Sequence, residues 1–73
     1  MNLIAVVGST YEPNLERLSA LQPILLSLDH IVIAQEWAGD PEKTRVLLAA
    51  GSNVETIQIW MSFQEFRKRL GVE

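Results

Sequence analysis

The run Leu3-Ile4-Ala5-Val6-Val7 breaks abruptly into Gly8-Ser9-Thr10, and this constrains the chain more than any other feature. An unbroken apolar run closed by a glycine and two hydroxyls reads as a strand buried on both faces that enters a turn. Strands of that kind belong to parallel sheets covered by helices. In such sheets the turn after the strand often holds an anion, commonly a phosphate, against the start of the next helix.

The rest of the pattern reads as alternation between strand and helix. The first strand spans Asn2 to Val7, with a turn over Gly8 to Glu12. Leu15, Leu18, Leu21, Leu25 and Leu28 recur at three- and four-residue steps, so a helix is expected from about Pro13 to Leu28. Pro13 suits a first turn; Pro23 lacks an N–H and should kink or break the helix near Ala20 to Gln22. A second strand is expected from His30 to about Glu36. Asp40-Pro41-Glu42 then supplies an N-cap, a proline at the first helical position and an acid in the first turn. The helix it starts would carry Val46, Leu47 and Ala50 and end at Gly51. A third strand runs from Val54 to about Met61, where Ile57, Ile59 and Met61 alternate with Thr56, Gln58 and Trp60. Ser62-Phe63-Gln64-Glu65 is a capping box, with Met61 and Phe66 placed as a hydrophobic staple. Arg67, Lys68 and Arg69 complement the dipole of that last helix, and Gly71 ends it.

Strands separated by helices pair in parallel through right-handed crossovers. The expected fold is therefore α/β: a single domain over residues 1–73, three-layer βαβαβα, with a three-stranded parallel sheet of order 2-1-3. The most apolar strand takes the centre, and the half-polar third strand takes an edge.

Size limits the core. A chain of 73 residues buries only about 60% of its unfolded surface, and domains this small usually need disulfides, metals or oligomerisation. No cysteine is present and there is one histidine, so disulfides and most zinc sites are excluded. Self-association is the support that remains. A net charge of -3 is no footprint for nucleic acid. No apolar run nears the ~20 residues that span a bilayer, and no signal-peptide pattern opens the chain. The expectation is a soluble, cytoplasmic protein without cofactor or metal.

The 2-1-3 order places the turn after the first strand at the switch point of the sheet, where ligands bind. Gly8, Ser9 and Thr10, with Lys43 on the same rim, form the candidate anion site: close backbone approach, hydroxyl donors and a helix N-terminus. The plainer alternative is turn and capping chemistry. Neither Gly-x-x-x-x-Gly-Lys nor Gly-x-Gly-x-x-Gly is present. The acids Glu12, Glu36 and Asp40 could share that end of the sheet, but solvated loop acids are the simpler reading. His30 reads as a strand-start histidine paired with a neighbour. No nucleophile–base pair can be assembled, so catalysis has little support. Trp60 and Gln58, on the half-polar edge strand, and Trp37 just past the second strand are the interface candidates, with core packing an equal alternative for Trp60.

Two families share pieces of this pattern. His30-Ile31-Val32-Ile33-Ala34, Lys43 with the apolar segment to Gly51, and Ser62-Phe63-Gln64-Glu65-Phe66 resemble a BRCT domain of the kind found in bacterial NAD-dependent DNA ligases. That resemblance implies phosphoserine recognition through Gly8, Ser9 or Thr10 together with Lys43. Val6-Val7-Gly8-Ser9-Thr10, with Asn14 and Leu18, resembles the opening of flavodoxin-like FMN reductases. There the hydroxyl-rich turn holds a flavin phosphate. The functional expectation is a non-catalytic interaction module that self-associates through an edge strand and exposed aromatics. Phosphate, phosphopeptide or nucleotide/flavin phosphate binding at Gly8-Ser9-Thr10 is the alternative.

Overall fold

The computed structural model describes residues 2–71, and its sheet is antiparallel throughout. Six strands form it: β1 (Leu3–Glu12), β2 (Arg17–Leu18), β3 (Gln22–Ser27), β4 (Ile31–Trp37), β5 (Asp40–Ala50) and β6 (Asn53–Ile59). A 3-10 turn, Leu28–His30, joins β3 to β4, and one helix, α1 (Phe63–Leu70), follows β6. Strands β4, β5 and β6 form a meander, and β6 pairs back onto β1. On its other side β1 pairs with the returning chain, β2 and then β3. The expected α/β fold with its parallel 2-1-3 sheet is overturned, because among the described residues every pairing is antiparallel and only one α-helix forms.

The reasons are local. The leucine stripe of the expected first helix buries little: Leu15, Leu21 and Leu25 are 57%, 46% and 68% exposed. Alternation decides instead, sending Ile24 and Leu26 inward and Pro23 and Leu25 outward. Pro23 has no N–H to give a helix, and an open strand edge tolerates it. No helix forms for Pro23 to kink; the chain instead leaves regular structure over residues 19–21, between β2 and β3. Between the pairs Tyr11–Leu18 and Gly8–Gln22 the return chain takes four steps against three on β1. In the expected second helix, Thr44 and Val46 point inward between Lys43, Arg45 and Leu47, a period of two. Asp40 does receive the N–H of Glu42, at 3.0 Å, but that bond shapes the start of β5. Ala38-Gly39 and Gly51-Ser52 are two-residue hairpin loops. Gly51, with φ +65°, leads its loop rather than ending a helix.

The third expected strand exists as β6, but it is interior, paired with β5 on one side and β1 on the other. The last element forms as the sequence predicts. Ser62 Oγ accepts the N–H of Glu65 at 3.2 Å. Gly71, in the left-handed region, donates its N–H to the carbonyls of Arg67 and Lys68. One face of the sheet carries Ile4, Val6, Leu26, Val46, Ile57 and Ile59 against the fully buried Phe66 of α1. Thr44, also fully buried, donates to the Met61 carbonyl at 2.7 Å and so fixes the path from β6 into the helix. Among the described residues no helix is long and apolar enough to cross a membrane.

Candidate functional site

Among the described residues no helix covers the second face of the sheet. Gly8, Ser9 and Thr10 lie within β1, not in a turn. Their register partners are Ile59, Gln58 and Ile57 of β6. Gly8 is needed for a close approach, and what approaches is backbone: a Cβ there would sit 2.3 Å from the Gln58 carbonyl oxygen. Ser9 is buried. The N–H of Thr10 donates to Ser19 Oγ at 3.0 Å, and its carbonyl accepts the N–H of Ser19 at 2.8 Å. Lys43 stands on β5, beyond β6 from these residues. It forms an ion pair with Asp40, and its ammonium lies 4.5 Å from the centre of the Trp60 ring. That hydrogen bond, with the one from the Glu42 N–H, holds the Asp40 carboxyl below its ordinary range.

Gln58 is buried beneath Trp60, whose indole N–H it accepts at 3.1 Å. Trp60 is half exposed. It is held rather than free, with Lys43 on its face and Gln58 at its edge. The three acids do not gather. Glu12 pairs with Arg17 at 3.3 Å, Asp40 with Lys43, and Glu36 is exposed opposite Thr44. His30 is exposed at the end of the 3-10 turn.

Two features of this face were not visible in the sequence reading. The first is an open edge. Strand β3 pairs with β1 on one side only. Trp60 donates its N–H to the Val7 carbonyl at 2.9 Å, so the polar groups of Val7 face β6. Antiparallel alternation then turns those of its register partner Pro23, and of Leu25 and Ser27, toward the open side. Pro23 sits where its missing N–H would have faced outward. Beside this edge Leu3, Val7 and Leu25 form an apolar patch, each at least 51% exposed. The signal was present in Gln22-Pro23-Ile24-Leu25-Leu26-Ser27, an uncharged segment with its proline near one end.

The second feature is a groove of about 420 Å³ at the far end of the same face, between the β1–β2 turn and the β4–β5 loop. Tyr11, Leu18, Trp37, Arg45 and Thr56 line it, with Glu16 and Arg17 also at its wall. Trp37 thus keeps company with Arg45 rather than with Trp60. No local spacing could have announced a groove whose walls come from five different strands. No protein-family model, no curated protein and no solved structure matches this chain.

Proposed function

We propose that this domain is a non-catalytic interaction module whose partner is a second copy of the same chain, joined through the β3 edge. The observation that carries the reading is the open side of Gln22–Ser27. The opposite edge strand, β4, has two register irregularities against β5 and carries Glu36. Bulges and charge are the ordinary means of blunting an edge. Within Gln22–Ser27 there is no charge and no bulge, and Pro23 alone interrupts the donors.

The edge is complementary to itself. A two-fold axis at Leu25 sets Leu25 opposite Leu25 of the second copy, each giving an N–H and taking one. Ser27 of either chain then donates to the Pro23 carbonyl of the other. Four hydrogen bonds result, and the only donors lacking are those proline never had. The patch of Leu3, Val7 and Leu25 would meet its own copy on one face, and half-buried Ile24 would stand in register with the buried Leu26 on the other. Two chains of net charge -3 repel at long range, but no like charges meet along this edge.

Light scattering on the purified chain, from micromolar to about 1 mM, tests the reading, since a Kd weaker than that carries only about 4 kcal/mol. The expected result is a dimer that Leu25→Lys converts to a monomer. The Leu25 side chain is exposed, so the substitution leaves the core alone. A wild-type monomer throughout the range, or a dimer indifferent to Leu25→Lys, overturns it.

A further inference from the structure

We infer that the groove between Tyr11 and Trp37 is a binding site for a small planar carboxylate, an aromatic acid, with Arg45 as its counter-ion. The inference rests on three observations independent of the β3 edge. The first is shape. A cavity of about 420 Å³ falls within the range that holds single small molecules. It is too small for a folded partner.

The second is charge. Arg45 stands on β5 between Gln35 of β4 and Gln58 of β6. Its side chain is partly buried, and among the described residues it forms no ion pair. The chain has nine acidic residues against six basic ones, yet the register neighbours of Arg45 on both sides carry amides. Arg17, the other cation at the wall, is satisfied by Glu12. A partly desolvated cation without a partner is unfavourable until an anion arrives. Glu16 is the acid at this wall, and it weighs against a ligand with more than one negative charge.

The third is the chemistry of the walls. Tyr11 and Trp37 present ring surfaces, Leu18 adds an apolar side and Thr56 a hydroxyl. Aromatic walls favour a flat π-system by offset or edge contact. A guanidinium fork favours the two oxygens of a carboxylate. Together these select a flat acid over an aliphatic acid or an aromatic amine. The indole N–H of Trp60 is already bonded to Gln58, so it serves as an internal reference beyond the groove.

The test is a titration of 15N-labelled protein with benzoate, with acetate and benzylamine as controls for ring and charge. The expected result is a saturating shift of the Trp37 indole and Thr56 amide signals with benzoate, while the Trp60 indole stays in place. Acetate and benzylamine should leave all of them unmoved. Arg45→Gln should weaken benzoate binding about ten-fold or more. Tyr11→Leu, at an exposed side chain that the core does not need, should weaken it also and stands in if Arg45→Gln unfolds. Repeating the titration on Leu25→Lys separates this site from self-association. No saturation by about 20 mM benzoate, an equal response to benzylamine, or unchanged binding in the Tyr11 and Arg45 variants overturns the inference.

Discussion

Replacing Gly8 by alanine adds one methyl group at the narrowest point of the sheet. The new Cβ would lie 2.3 Å from the Gln58 carbonyl oxygen and 3.2 Å from both Gln58 C and Ile59 Cα. All three are backbone atoms, so no side chain can rotate away. Ordinary contact requires β1 and β6 to part by about 1 Å. A shift of that size stretches the 2.9 Å bond from the Trp60 N–H to the Val7 carbonyl beyond hydrogen-bond range. The junction is short, with Gly8 to Thr10 facing Ile57 to Ile59, and it is the seam between the β1–β3 hairpin and the β4–β6 meander. Overpacking costs about 1–3 kcal/mol, and each of one or two lost hydrogen bonds about 1. Alanine in a strand returns about 0.5–1 kcal/mol of backbone entropy. The net loss is about 1–4.5 kcal/mol, against a total stability of about 4–11 for a domain of this length. Urea unfolding at one fixed protein concentration measures it, because self-association adds a concentration-dependent term. With a slope near 1 kcal/mol/M, typical of the smallest domains, the midpoint should fall by about 1–4.5 M. A midpoint within about 0.5 M of the wild type would refute the reasoning, since the strands would then have room that the geometry denies.

Phe66→Ala empties the centre of the core, and unfolding should show a loss of about 3–5 kcal/mol, a large share of the total stability. Thr44→Val keeps the shape but leaves the Met61 carbonyl without its donor, so a loss of about 1–3 kcal/mol is expected in the same assay. Ser62→Ala removes the N-cap of α1 and should cost about 1 kcal/mol, read from thermal unfolding by circular dichroism. The Asp40 carboxyl is held below its ordinary value by the hydrogen bond from Lys43 and that from the Glu42 N–H. Its contribution is therefore present above the unfolded-state value and lost as pH falls through the lower folded value. Asp40→Asn should flatten that part of the acid limb below about pH 4, and an unaltered limb would show that other carboxylates set it.

Much of the misreading of the fold traces to signals that two structures share. Gly51 adopts the left-handed conformation that a helix end and a hairpin loop both require. Asp40-Pro41-Glu42 makes the same side-chain to backbone bond whether the chain goes on to a helix or to β5. Leucines at steps of three and four between Leu15 and Leu28 suggest a helix only while Pro23 is treated as a kink. Treated as a missing donor, Pro23 selects an open strand edge, and Ile24 and Leu26 become the inward pair. The capping box had no such rival. Ser62, Glu65, Phe66 and Gly71 agree at every level, and α1 forms where the sequence puts it.

The surfaces were harder to see because each depends on register. Trp60, Gln58 and Lys43 do come together, but only because Thr44 pairs with Ile59 and so sets Lys43 beside Trp60. A slip of one residue would turn Lys43 and Arg45 into the core and bring Thr44 and Val46 out. The same dependence governs the groove, where Tyr11 and Trp37 share one cavity across the intervening β6 and β5. Gly8 permits that closeness at the seam between the two halves of the sheet. The run from Leu3 to Thr10 therefore acts on the two proposed sites at one remove. Its glycine lies within β1 rather than in the turn it was expected to form. It lets β6 approach β1, and that approach sets both the outward direction of the β3 edge and the distance between the two aromatic walls. Gly8→Ala should accordingly weaken benzoate binding in whatever fraction stays folded, because parting the seam moves Tyr11 away from Trp37.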